Sequence, residues 1–427
     1  MKYLTISDSK EYFISDGKPI FYLADTVWSA FTNSTIDEWT EYLDYRRTQG
    51  FNVLQINLLP QWDRSRKFSH DVSLPAFHKD DKGNIDFYNL NDEYFDKAVT
   101  MTKMAVDRGF IPALVLLWGD YVDFEWARTL EPNRIFPLEA IEPYINYVNK
   151  RFSEFCPIYL VSGDNNFKYE TTHIYYQKAL KIIKEISPKS LTTLHMSGGT
   201  SDLPENFIKS SYLDFYMYQS GHSNVETTMT ELAHDFRHKV VKRPIINGEI
   251  SYEGIRFSKP YQGRISAWHV RRIIWHSLLS GAKAGITYGA HGIWSWHNRN
   301  DYFTSKKVFD EPFPWRSALV LAGAWDAAYA KEIFEQYDLF TIQPSEILVN
   351  CDEEINASMS ADGNKIIIYS SYNTEIVVKT DLRRYQTKMI LLDKKIAIKP
   401  RIDASNEKSS IKMHDYNSDV LVVAIKN

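Results

Sequence analysis

Disulfides have little material to form from: the 427 residues include only two cysteines, Cys156 and Cys351, far apart in the chain. That usage suggests no disulfide framework and fits a reducing compartment. No run of about 18 apolar residues exists, so no membrane-spanning helix is expected. The opening MKYLTISDSKEYF carries charges and no apolar core of a leader peptide, so a cytoplasmic location is the simplest expectation. Charge of one sign is also lacking. A net charge of −4 gives no electrostatic case for nucleic acid or an anionic membrane as partner. Glycine-rich phosphate turns are absent after the first apolar strand, which counts against a doubly wound nucleotide-binding sheet. No HExxH or close histidine spacing occurs, so neither a metal nor a cofactor is expected. Internal repeats and low-complexity tracts are missing, and nothing in the sequence indicates an oligomeric state.

Aromatic residues, in contrast, are plentiful: 14% of the chain, with 11 Trp and 27 Tyr. Some must build core, but aromatic faces also stack on sugar rings, which weakly favours a carbohydrate ligand. The chain alternates between apolar runs and helical periods. Tyr12–Ile14 and Ile20–Ala24 flank the turn dipeptide Asp16-Gly17 and predict a hairpin whose second arm ends on Asp25. Thr35 followed by Glu38 predicts a capped helix to Gln49. Further strands are expected at Phe51–Leu59, Phe110–Asp120, Pro157–Asn165, Leu191–Gly199, Leu213–His222, Arg243–Glu249 and Ala284–Trp294. Helices are expected at Asp92–Arg108, Leu138–Phe155, Thr172–Ile186, Val225–Val240, Ile265–Ser280 and Trp315–Glu335, with a short or missing one near Leu203–Ile208. Eight strand–helix units in this order predict a (β/α)8 TIM barrel. Beyond about Gln336 only short β-rich runs remain, predicting a small C-terminal β-sandwich. The expected division is residues 1–335 and 336–427.

Active sites of such barrels lie at the C-terminal strand ends, so polar residues there are candidates: Asp25, Asn57, Asp120, Asp164, His195, Gln219, His222, Glu249, Tyr288 and His291. Two carboxylates stand out, Asp164 after strand four and Glu249 in the run RPIINGEISYEG after strand seven. A charge at the end of a buried strand is costly unless paired or employed. Hydrolysis of a glycosidic bond needs one carboxyl group to protonate the leaving oxygen and another to attack carbon or activate water. Structural alternatives exist for each. Glu249 could pair with Arg243 or Arg256, and Asp164 could shape a turn and cap a helix. Asp25 could be an N-cap and Asp120 could pair with Arg128. The histidines, with Trp118, Trp294 and Trp296, could be core. The loop after strand two carries further polar and aromatic residues, Trp62, Asp63, Arg64 and His70.

The segments ADTVW, GFNVLQINLLP, LLWGD, VSGDNN, MSGG, DFYMYQSGH, NGEISYEG and VRRIIWHSLLSGAKAGITYGAHGIW, in this order, resemble the apiosidase-type glycoside hydrolases over about residues 10–335. The resemblance implies a (β/α)8 enzyme related to the large retaining clan, with Asp164 as acid/base and Glu249 as nucleophile. It implies an appended β-sandwich as well. Asn165-Asn166-Phe167 follows Asp164 where many members have Arg, which alters the subsite wall. The expectation is a glycoside hydrolase acting on a small plant-derived oligosaccharide or glycoside. Asp25, Trp28, Asn57, Trp118, Asp120, His195, Gln219, His222, Tyr252, Tyr288 and His291 would bind the sugar. The rival expectations are a non-catalytic carbohydrate-binding protein on the same scaffold and a metal-dependent hydrolase or isomerase. Glu249 should be held ionised by donors such as Tyr252, Asn247 or a nearby histidine, and Asp164 should be drier.

Overall fold

Eight parallel strands, each buried along its length, build the centre of the molecule. They are Tyr22–Thr26, Val53–Asn57, Ile111–Trp118, Ile158–Gly163, Thr192–Thr193, Tyr216–Gln219, Ile245–Glu249 and Gly285–Tyr288. The computed structural model describes residues 3–66, 74–123, 125–130, 134–222, 228–257, 263–303, 305, 309–350 and 352–426; His70 and Cys351 lie outside them. Strands one to five pair consecutively, and strand one also pairs with strand eight, which leads through seven to six. A parallel bridge between His195 and Met217 and the bond from Asp214 N–H to the Thr192 carbonyl (3.0 Å) join five to six and close the barrel. Strands covered on both faces read as near-continuous apolar runs, which is why they were visible in the sequence.

The helices follow the expected punctuation. Ile36–Thr48 starts at a capping box in which Thr35 and Glu38 satisfy each other's backbone N–H groups. Asp92–Asp107, Ile141–Phe152, Glu170–Ile186, Thr228–Arg237 and Ala267–Leu279 follow, and the fifth unit has only the short Glu205–Ile208. Two expectations are corrected. The Asp16-Gly17 hairpin consists of Phe13–Ser15 and Lys18–Ile20 alone, and Tyr22–Thr26 belongs to the barrel rather than to its second arm. The last helix is two, Trp315–Leu319 and Gly323–Gln336. The second begins where the Gly323 N–H donates to Glu253 Oε2 at 2.8 Å, a spot where an added Cβ would lie 2.5 Å from that oxygen.

The C-terminal strands form a six-stranded sheet and a three-stranded sheet around a second apolar cluster. Strand Ile355–Ser360 escaped the sequence reading because half of it is polar. Its apolar side, Ile355 and Ala357, enters the sandwich core. Its polar side packs on the barrel, with Asn356 Nδ2 on Ser280 Oγ (3.0 Å) and Ser358 Oγ donating to the Leu279 carbonyl (2.7 Å). The short Ile402–Ala404 and Ser409–Ile411 also lacked a legible period.

Arg271 ties the sandwich to the barrel. From helix Ala267–Leu279 it grips Asp419 with Nε (2.9 Å) and Nη2 (2.8 Å), and Asp326 with Nη1 (2.8 Å). Both acids are buried, and removing the guanidinium leaves Asp419 without its ionic partner away from water, while Asp326 keeps Lys395. Arg271→Ala should therefore lose about 3–5 kcal/mol of stability in urea denaturation. A loss below about 1 kcal/mol, the range of exposed pairs, would contradict this linkage.

Candidate active site

Glu249 is the last residue of strand seven, 4% exposed, and among the described residues no ion pair joins it to an arginine. Arg243 is engaged at the other end of the strand with the carbonyls of Leu213, Ile208 and Ser210, and Arg256 pairs with Asp310 at 3.0 Å. The Glu249 carboxylate instead meets hydrogen-bond donors. His195 Nε2 lies 3.3 Å from Oε2, His222 Nε2 3.1 Å from Oε1, and Gln219 Nε2 donates to Oε1 at 2.9 Å. The Tyr252 hydroxyl accepts the indole N–H of Trp28 at 2.8 Å, and burial and the charge of Glu249 raise its pKa well above the usual phenol value. Burial alone would raise the pKa of Glu249, but the bonds from His195 and His222 outweigh it and hold the carboxyl down at about 2.

Asp164 follows the last residue of strand four, Gly163, and takes a left-handed conformation (φ 54°) that aspartate tolerates better than most residues. Gly163 is required there, because a Cβ would lie 2.0 Å from the Trp118 ring. Asp164 caps no helix; the residue preceding Glu170–Ile186 is Tyr169. The Asp164 backbone N–H donates to His195 Nδ1 at 3.2 Å. With Nδ1 accepting, the ring proton sits on Nε2, the nitrogen 3.3 Å from a Glu249 oxygen. Burial first, and then the charge of Glu249, push the Asp164 carboxyl up to about 7. The two acids therefore share one electrostatic environment and are displaced in opposite directions by it.

Around this pair lie most of the expected residues. Trp28 packs on Trp118 (ring centroids 5.1 Å) and edge-on to His195 (5.6 Å), and Tyr252 stacks on Trp294 (5.5 Å). Asp120 is buried with Arg134 Nη1 at 3.4 Å, whereas Arg128 pairs with Asp123. Asn57 turns to Gln61 in its own loop. Asn247, expected as a donor to Glu249, bonds Ser220 Oγ (3.1 Å) and Ser277 Oγ (3.0 Å) instead.

Three expectations fail. Asp25 accepts from Tyr42 Oη (2.7 Å) and Arg46 Nε (2.6 Å) on helix Ile36–Thr48, so it faces outward from the barrel. Its neighbour in register, Tyr288, faces the same way, with its ring under Arg46 (5.4 Å) and its hydroxyl donating to Glu253 Oε2 (2.6 Å). His291 is buried with Nδ1 accepting from Trp294 Nε1 (3.2 Å) and Nε2 on the Asp310 carbonyl (3.3 Å), so both ring nitrogens are engaged away from Glu249. Desolvation pushes its pKa down to about 3, as expected of an uncharged packing residue.

The loops hold what the strand ends did not show. Asp63 has a buried Oδ1 without a hydrogen-bond partner. Burial drives its pKa well above the usual carboxylate range, and the charges of Asp164, Asp120 and Glu249 act in the same direction. Trp62 stands edge-on to Trp126 at 5.7 Å, and the Trp126 indole N–H donates to the Asp164 carbonyl at 2.9 Å. The only sequence signal for these was the density of aromatic and acidic residues in loops at that end of the barrel.

The sequence model for "Apiosidase-like, catalytic domain" matches residues 7–341. No curated protein matches the chain. Among solved structures, a protein described as a glycoside hydrolase superposes with a TM-score of 0.81 at 18% identity, covering 100% of this chain and 97% of its own. A family 5 glycoside hydrolase from Bacteroides vulgatus gives 0.81 at 18% identity, with 99% and 93% covered. A family 5 mannosidase from Rhizomucor miehei gives 0.52 at 13% identity, with 79% and 100% covered. At such identities the likeness is one of fold.

The opposed displacements make a direct prediction. Replacing Glu249 by Gln removes the charge that raises Asp164, so the Asp164 pKa should fall below about 7. Carboxyl-carbon NMR titration of wild type and Glu249→Gln reads this. An unchanged Asp164 midpoint would mean that the two carboxyls do not sense each other.

Proposed function

The chain belongs to the apiosidase-like glycoside hydrolases, and we propose that it cleaves an O-glycosidic bond in a small plant-derived oligosaccharide or glycoside, with Asp164 as acid/base and Glu249 as nucleophile. The observation that carries this reading is the unequal treatment of two neighbouring acids. Glu249 is surrounded by donors from His195, His222 and Gln219, as an attacking carboxylate requires. Asp164 is half-buried near that charge and keeps its proton to about neutral pH, as a general acid requires.

In this mechanism Asp164 protonates the glycosidic oxygen while a Glu249 oxygen attacks the anomeric carbon. Forming the glycosyl ester removes the negative charge of Glu249. The repulsion that held the proton on Asp164 falls at the same moment, so transfer to the leaving group and bond formation reinforce each other. Asp164, now ionised, takes a proton from water, which attacks the same carbon and releases the sugar with its configuration retained. The donors on Glu249 keep the carboxylate ionised and oriented. Tyr252 is suited to the same task, because burial and the charge of Glu249 keep its phenol protonated. A pure sugar-binding protein would gain nothing from holding two acids in opposite protonation states, which disfavours the rival reading.

Glu249→Gln should abolish turnover on every substrate. Asp164→Asn should cost on the order of 10²–10⁴-fold on poor leaving groups and far less on activated glycosides, which depart without a proton. Steady-state kinetics across a leaving-group series checks both. Equal losses at both ends of the series would refute the division of roles.

A further inference from the structure

Positive charge gathers at the far end of the barrel. A cavity of about 420 Å3 there is walled by Arg237, His238, Lys242, Arg243 and Lys283, with Glu11 as the one carboxylate among its described walls. Ile245, also in the wall, opens strand seven, and Glu249 closes that strand. The cavity therefore lies on the face opposite the two acids, where a TIM barrel serves stability rather than chemistry. The chain as a whole has a net charge of −4. A concave surface with four lysine and arginine side chains against one glutamate is a local exception that attracts anions.

The protein itself holds these cations together. Lys283 is 4% exposed, and its Nζ donates to Glu11 Oε2 (2.8 Å) and to the Ile342 carbonyl (2.6 Å). Lys242 Nζ lies 2.7 Å from Glu11 Oε1, which also accepts from Gln343 Nε2 at 2.7 Å. The one charge of Glu11 is thus shared by two ammonium groups. Arg243 donates to carbonyls and to the Tyr216 hydroxyl, so no acid offsets its charge. Arg237 meets no acceptor among the described residues. Its stem lies over Gly281, where an added Cβ would be 3.3 Å from Arg237 Cδ. Burial pushes the Lys283 pKa below the ordinary lysine value; Glu11 opposes this, and the charges of Lys242 and Arg237 add to it. An anion placed among like charges relieves their repulsion.

The donors indicate which anion. A planar guanidinium fork beside two ammonium groups matches an oxygen-rich dianion. A phosphate group carries about −1.5 to −2 charges at neutral pH and three acceptor oxygens. A carboxylate would offset a single cation and leave the others in repulsion. The volume lies in the range of small-ligand sites. We infer that this cavity is a phosphate-binding site, with Arg237, Lys242 and Lys283 as its donors, for inorganic phosphate or the phosphate group of a small monoester. The site stands independently of Asp164 and Glu249. Its walls join Glu11 of the N-terminal segment, Lys283 ahead of strand eight and Gln343 of the first sandwich strand, Ile342–Pro344, so a bound phosphate braces barrel and sandwich together.

Isothermal titration calorimetry tests this with sodium phosphate, glycerol 3-phosphate and sodium acetate, at an ionic strength held constant with sodium chloride. A phosphate probe should bind once per chain with Kd below about 1 mM, and acetate at least about tenfold more weakly. Tighter binding of glycerol 3-phosphate than of phosphate identifies a monoester as the ligand, and the reverse identifies the free ion. Arg237→Ala should weaken phosphate binding roughly tenfold, as expected for loss of a charge-assisted bidentate contact, and Lys242→Ala should weaken it as well. Both side chains are exposed, so both variants should keep the wild-type circular dichroism spectrum. Three results would each overturn the site: no saturable binding of either phosphate probe up to about 10 mM, acetate binding as tightly as phosphate, or wild-type phosphate affinity in both variants.

Discussion

One imidazole lies between the two acids at the mouth of the barrel. His195 Nδ1 accepts the backbone N–H of Asp164 at 3.2 Å, and that bond leaves the ring proton on Nε2, 3.3 Å from Glu249. Asp164 and Glu249 thus flank one ring whose tautomer is fixed by the chain itself. The same residue is anchored by its carbonyl, which accepts from Ser162 Oγ (3.1 Å) and Asn165 N–H (3.4 Å), and by its bridge to Met217. Strand five is only Thr192–Thr193, yet these bonds lock its continuation to strands four and six. A short strand is tolerable here because its exit is held by the active-site geometry rather than by a long ladder.

How much of this was legible follows from period and position. Buried parallel strands leave unbroken apolar runs, so the barrel and the two acids at its strand ends could be read directly. Which face a strand-end residue takes could not be read so easily. Side chains alternate faces every residue, and a position off by one exchanges the pocket for the helix layer. Asp25 and Tyr288 are adjacent in register and both fall on the outer face, where Arg46 lies between them. Their chemistry is structural, a buried ion pair with an aromatic lid. His291 illustrates the same limit, since nothing in YGAHGIW distinguishes a ring bonded to Trp294 from one lining a pocket.

Loops carry no period, so Trp62 and Asp63 could be named only as residues of the loop after strand two, without a role, and Trp126 not at all. Trp126 reaches Asp164 through a main-chain carbonyl 38 residues away in sequence, a contact that no residue pattern encodes. The sandwich shows the opposite case. Its strand Ile355–Ser360 has an alternating pattern, but its polar side serves the contact with helix Ala267–Leu279 rather than water. Polar residues at a domain contact and polar residues on a surface look alike until the partner surface is known. The barrel and sandwich are held together by such groups, among them Arg271 between Asp419 and Asp326 and Arg272 on Glu354.

The central claim is that Asp164 holds the catalytic proton and Glu249 the charge. The pH dependence of kcat/KM reports the ionisations of the free enzyme and tests it most directly. With Asp164 raised to about 7 and Glu249 held at about 2, activity should fall on the alkaline side through a midpoint near 7 and stay level as pH drops well below neutral. In Asp164→Asn, assayed on the same substrate at its lower rate, the alkaline fall should vanish. An alkaline limb that survives this substitution unchanged would show that the proton resides on another group, and would contradict the account.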